Sequence, residues 1–175
     1  MIREAFVDKS ILITGATGFV GKVLLEKFIA AIPNFRRIFV IIRPKRGVKP
    51  MDRVRNEIFS SECFATVKKT IPNFDQFISE KIVPIEGDIC KDGLALKAAD
   101  RERLVNELDI IINCAASVNF TERLCDALQI NYYGALRMME LAKECKHLDV
   151  FTHMSTCYVN CDKRGFLNEK IYPIE

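Results

Sequence analysis

Three glycines spaced three residues apart, Gly15, Gly18 and Gly21, constrain this chain more than any other feature. They stand in Thr14-Gly15-Ala16-Thr17-Gly18-Phe19-Val20-Gly21, directly after the β-branched run Ser10-Ile-Leu-Ile-Thr14. A helical pattern follows at once. Val20, Val23, Leu24, Phe28 and Ile32 recur at three- and four-residue spacing, which predicts one apolar helix face, and Pro33-Asn34 ends it. A strand that turns into a helix through glycines opens a βαβ unit. The first glycine permits the tight turn, the second admits a ligand to the backbone, and the third lets the helix pack closely on the strand.

The rest of the chain keeps the alternation. Strands are predicted at residues 10–14, 37–42, 81–85, 109–114 and 150–154, each a near-continuous apolar run of the kind buried on both faces of a parallel sheet. A long helical region is expected over residues 122–145, with Leu124, Leu128, Leu136, Met139 and Ala142 on its apolar face. Gly134 inside it marks close packing or a kink, since glycine costs a helix about 1 kcal/mol. A short helix is read over residues 100–107, with Asp100 near its N-cap. About 38 residues separate the second and third strands, and short helices at 52–59 and 62–70 are expected to fill them as an insertion. The fold class is α/β, a Rossmann-like doubly wound parallel sheet of order 3-2-1-4-5 that ends after strand five, in one domain over residues 1–175.

Composition narrows the partners. With 175 residues, 49% hydrophobic and 28% charged, the chain reads as a soluble globular domain able to bury its own core without a staple. A net charge of +3 is too close to balance to point to nucleic acid. Seven scattered cysteines without a CxxC pair suggest reduced, mostly buried thiols, and Cys157 and Cys161 with His147 and His153 fit no metal-ligand spacing. The longest apolar runs, such as residues 38–42, are far short of the roughly 20 residues that span a bilayer. The first residues do not read as a signal peptide. Nothing in the residues fixes an oligomeric state.

The turn's chemistry is phosphate binding. Free N–H groups and the positive end of the helix dipole favour a pyrophosphate there, so Thr14, Gly15, Thr17, Gly18, Phe19, Val20 and Gly21 are candidate dinucleotide contacts. A purely structural turn would look similar in isolation, and no Gly-Lys-Ser/Thr follows to suggest nucleotide hydrolysis. At the end of the second strand an acidic residue would grip the ribose of NAD; here Arg43-Pro-Lys45-Arg46 suits a 2′-phosphate and favours NADPH. The later members of this basic run, through Lys49, Arg53 and Arg55, read as solvated surface, and RNA binding lacks the interleaved aromatics it needs. Asp88 and Ile89 can meet the adenine. Cys114, Ala115, Ala116 and Ser117 end the fourth strand with small residues that leave room for a cofactor to cross. Ser155 and Thr156 put hydroxyls at the end of the fifth strand, either to contact a substrate oxygen or to cap a turn.

Together these segments, with Asn113-Cys-Ala-Ala-Ser-Val-Asn-Phe120, Val150-Phe-Thr-His-Met-Ser-Thr-Cys-Tyr-Val-Asn160 and Ile171-Tyr-Pro173, resemble the Rossmann domain of fatty acyl-CoA reductases across essentially the whole chain. The resemblance implies NADPH-dependent reduction of a long-chain acyl-CoA through an aldehyde to a primary alcohol. It gives Thr156 and Ser155 the substrate-oxygen role and Asn131 a place in a water-linked proton relay. It also implies a tyrosine with a lysine four residues later. None of Tyr132, Tyr133, Tyr158 or Tyr172 has one, and that pair is expected on a helix beyond Glu175. Members of the family act at peroxisomal or endoplasmic-reticulum membranes, which implies a cytosol-facing domain whose membrane contact lies in other parts. The alternatives are a nucleotide-sugar epimerase or dehydratase of the extended short-chain family, and a catalytically inactive dinucleotide-binding module.

Overall fold

The computed structural model describes residues 2–172, so Pro173 of the last motif lies outside the described residues. A 3-10 turn, Ile2–Phe6, leads into β1 (Ser10–Thr14), every residue of which is buried. The glycine turn and α1 (Phe19–Ala31) follow, then β2 (Arg37–Ile42). Next come α2 (Pro50–Arg53), running on as a π-helical segment Val54–Phe59, then α3 (Ala65–Thr70) and α4 (Phe74–Lys81). The chain continues through β3 (Ile82–Glu86), α5 (Ala98–Glu107) and β4 (Ile110–Asn113). It ends through α6 (Leu124–Leu128), a π-helical segment Gln129–Tyr133, α7 (Gly134–Glu144) and β5 (Val150–His153). All strand pairs are parallel and the order is β3-β2-β1-β4-β5, as the sequence predicts. The order reverses at β1, which opens a crevice at the carboxyl ends of β1 and β4.

The central strands read as unbroken isoleucine runs because both sheet faces are covered. Ile11, Ile13, Ile38, Val40, Ile110 and Ile112 face one core with Leu25, Phe28 and Ile29 of α1. Leu12, Phe39, Ile85 and Ile111 face the other, with Leu104 of α5 and Met138 and Leu141 of α7. Pro84 lacks an N–H, and β3 tolerates it as the edge strand of the sheet. β5 is the opposite edge, and Val150, Thr152 and His153 are exposed rather than buried on both faces as expected.

Both long-helix faces differ from expectation, for one reason. In α1 the buried line is Gly21, Leu25, Phe28 and Ile29; of the expected face Phe28 is buried and Leu24 and Ile32 pack half-buried against the core, while Val20 and Val23 are exposed. In α7 it is Gly134, Met138 and Leu141, with the expected Ala142 packed half-buried beside them, while Leu136 and Met139 of α7 and Leu124 and Leu128 of α6 are exposed. Each helix approaches its neighbour most closely along its glycine, and the residues one and two turns on follow it inward. Gly134 lies against Ile89: a Cβ there would stand 3.0 Å from Ile89 Cδ1. The wider turn just before Gly134 also shifts the phase of the helix. In α5, Asp100 sits in the first turn and Lys97 is the N-cap, a placement that still favours a carboxylate.

Residues 43–81 are part of the core rather than an added flap. Val54, Ile58, Phe59, Phe64, Val67 and Ile78 are all buried with α1, and Phe59 meets Phe64 and Phe74 edge-on at 4.8 and 5.7 Å between ring centroids. A third helix of the segment, α4, lies beyond the two that the sequence predicts there. Asn73 takes φ +50° to start it. No described helix is long and apolar enough to cross a membrane. Phe59→Ala is expected to cost about 3–5 kcal/mol, a fall in melting temperature readable by circular dichroism; a surface flap would tolerate the change.

Candidate functional site

The glycine turn is built from backbones that pass too closely for side chains. Gly15 takes φ +70°, and a Cβ on it would stand 2.9 Å from both N and Cα of Ala115. A Cβ on Gly21 would stand 2.3 Å from Gly15 O and 2.8 Å from Ala16 Cα, so α1 begins directly on the turn. Gly18 is the N-cap of α1 and provides no side-chain cap. The first N–H groups of the helix are thus left for an anion, with the helix dipole behind them.

A cavity of about 460 Å³ opens from this turn. Thr14, Gly15, Thr17 and Gly18 line it from the turn, Arg43 and Lys45 from the end of β2, and Asp88 and Ile89 from the end of β3. Cys114, Ala115 and Ala116 line it from the end of β4. The structure does not bring five other predicted residues to it. Phe19 and Val20 are exposed at the start of α1 with their side chains outside the lining, and Gly21 is buried beneath the turn. Arg46 is exposed outside the lining, in the short turn between Lys45 and Val48. Ser117 is drawn toward the π-helical segment before α7, its N–H donating to Asn131 Oδ1 at 2.8 Å and its carbonyl accepting from Asn131 Nδ2 at 3.2 Å. Asn131, inside the π-helical segment, therefore braces the loop after β4 with both ends of its amide.

Arg53 lines the cavity although the sequence reads it as surface. It donates to the carbonyl of Arg43 and to both carboxylate oxygens of Glu57, at 2.8 and 2.5 Å. That hydrogen bonding raises the Arg53 pKa and lowers that of Glu57. The four-residue spacing of Arg53 and Glu57 was the available signal. Three cations, Arg43, Lys45 and Arg53, thus stand against one carboxylate at the end of β2. Across the cavity, Asp88 accepts from the Cys90 N–H at 3.0 Å with one carboxylate oxygen.

At the other side of the switch point, Thr14 Oγ1 accepts from the N–H of Cys114 and Ala115 at 3.1 and 3.0 Å and donates to Asn113 Oδ1 at 2.6 Å. Asn113 Nδ2 lies 3.0 Å from His153 Nδ1. Thr156 accepts from the Tyr158 N–H at 3.2 Å and caps the 3-10 turn Cys157–Asn160, which leaves its own hydrogen free to donate. Ser155 is exposed beside it. The thiols are less buried than expected: Cys125, Cys157 and Cys161 are exposed, and Cys63, Cys90, Cys114 and Cys145 are half-buried. Burial raises the pKa of Cys114, and that of Cys90 with help from Asp88; it pushes Cys145 up to about 11.

Residues 13–175 match the NAD-binding male sterility protein family. The chain belongs to that family. The cofactor class of the site is a nicotinamide dinucleotide. Over 173 residues the chain is 38% identical to an alcohol-forming fatty acyl-CoA reductase of Simmondsia chinensis, covering 98% of this chain and 35% of that protein. It is 40% identical to fatty acyl-CoA reductase 1 of Mus musculus over 172 residues, 98% of this chain and 32% of the relative. The chain thus spans about a third of the length of these relatives. Among solved structures, the terminal R domain from the myxalamid PKS-NRPS biosynthetic pathway superposes with a TM-score of 0.67 at 29% identity, covering 86% of this chain and 35% of that one.

Gly21→Ala is expected to destabilise the chain by about 1–3 kcal/mol through overpacking and to abolish dinucleotide binding, read by thermal shift with and without cofactor. In alkylation by iodoacetamide followed by mass spectrometry, Cys125, Cys157 and Cys161 are expected to react first. Cys145 should react last, since its thiolate forms only as pH approaches about 11.

Proposed function

We propose that this chain binds NADPH in preference to NADH and forms the cofactor-binding part of an enzyme that reduces a long-chain acyl-CoA, through the aldehyde, to a primary alcohol. The observation that carries the cofactor choice is the cationic rim at the end of β2. NAD-specific sites place a carboxylate on the ribose hydroxyls there; this chain places Arg43, Lys45 and Arg53 around the cavity mouth, with Glu57 already engaged by Arg53. The names of the relatives support the reaction.

Bound NADPH supplies the hydride, and the remaining tasks fall to the protein. The turn and the first N–H groups of α1 take the pyrophosphate, the rim takes the 2′-phosphate, and Asp88 accepts from the adenine amino group. The free hydrogen of Thr156 donates to the substrate oxygen as negative charge develops on it, with Ser155 alongside. Asn131 holds the loop at Ser117 so that the crevice keeps its shape. The rest of such an enzyme supplies the acyl site and the tyrosine–lysine pair that completes proton delivery.

Fluorescence titration tests the cofactor claim. NADPH is expected to bind at least about tenfold more tightly than NADH, and Arg43→Ala and Arg53→Ala are each expected to weaken NADPH about tenfold, as the loss of a charge-assisted hydrogen bond does. NADH affinity should hardly change. Equal affinity for the two cofactors in the unaltered chain would overturn the NADPH assignment.

A further inference from the structure

At the carboxyl ends of three adjacent strands, polar side chains form a row whose hydrogen positions follow from valence. Thr14 is the register partner of Asn113, and Asn113 of His153. The Thr14 oxygen has two lone pairs, and the N–H groups of Cys114 and Ala115 occupy both. Its single hydrogen therefore goes to the remaining neighbour, the Asn113 side chain at 2.6 Å. The atom of Asn113 facing Thr14 must then be the carbonyl oxygen, and the amide nitrogen faces His153. That amide donates to His153 Nδ1 at 3.0 Å. A ring nitrogen that accepts carries no hydrogen, so His153 carries its ring hydrogen on Nε2.

The row ends on the cofactor site. The Cys114–Ala115 peptide pinned by Thr14 is the one that Gly15 approaches so closely, and both of its residues line the cavity. Asn113 is buried, whereas His153 stands exposed at the end of β5 and outside the lining. Without an acceptor where His153 Nδ1 stands, the Asn113 amide hydrogens lose their partner. Turning the amide over does not help, because it presents hydrogens to a hydroxyl with no lone pair left.

We propose that His153 is a positioning residue of the dinucleotide site. Acting through Asn113 and Thr14, it holds the Cys114–Ala115 peptide at the distance from Gly15 that lets the cofactor cross the switch point. The inference rests on the dinucleotide reading of the cavity, and nothing in the sequence marks His153 for it.

Two measurements test it. Long-range ¹H–¹⁵N spectra of the labelled chain without ligand are expected to show His153 with a bare Nδ1 and a protonated Nε2. In Asn113→Asp, whose two oxygens can only accept, the same ring is expected to move its hydrogen to Nδ1. In NADPH titrations, His153→Asn, which puts an oxygen acceptor in place of Nδ1, should bind as the unaltered chain does. His153→Leu, which offers no acceptor, should bind about tenfold more weakly, as expected for an unpaired buried donor. A protonated Nδ1 in the unaltered chain, or undiminished affinity in His153→Leu, would overturn the proposal. If His153→Leu does not fold, the two tautomer spectra decide it alone. If the unaltered chain binds no dinucleotide, the reading of the cavity fails, while the ligand-free spectra still decide the row.

Discussion

The nucleotide end of this molecule depends on how closely three stretches of backbone pass one another. The turn at Gly15, the start of α1 at Gly21 and the loop after β4 at Ala115 stack with no side chain between them. With glycine at two of the three positions and alanine at the third, peptide groups form most of the surface a ligand meets, and peptide N–H groups suit phosphate. Thr14 is the peg: one hydroxyl ties β1 to the loop after β4, because its oxygen accepts from two successive N–H groups of that loop. The fold thus builds its binding surface by exclusion, and the side chains that confer selectivity are confined to the rim.

That division explains what the sequence reveals. Strands β1 and β2 lie where their isoleucine runs predict, and β3, β4 and β5 differ by a residue or two at their ends. The turn is legible because glycine spacing records backbone proximity directly. Helix orientation is legible only in part: apolar residues at three- and four-residue spacing lie on more than one face of α1 and α7, and the buried lines are those of Gly21 and Gly134, where the sequence points to close packing. Arg53 and His153 escaped for another reason. His153 acts on Asn113 from the next strand, a pairing that leaves no local pattern, and Arg53 acts on the carbonyl of Arg43 from the insertion, where only its four-residue spacing to Glu57 hints at a role.

The insertion also acquires a purpose in this light. Its phenylalanines anchor it in the core beside α1, which fixes α2 and so brings the Arg53 guanidinium to the end of β2. A flexible basic loop would offer charge without direction. Here the carbonyl of Arg43 and the carboxylate of Glu57 aim the guanidinium, which is what recognition of a phosphate by a planar fork requires.

The pairing of β1 with β4 shows a last consequence. Ile11 to Ile13 run beside Ile110 to Ile112 through one isoleucine-rich stretch, and such a stretch would pair almost as well after sliding along its neighbour. The polar groups at its ends do not slide. At one end the Ser10 N–H meets the Asp109 carboxylate at 2.8 Å; at the other Thr14 meets Asn113. A displaced pairing would bury those groups against isoleucine. The residues that shape the ligand crevice therefore also keep the two central strands in step as the sheet assembles.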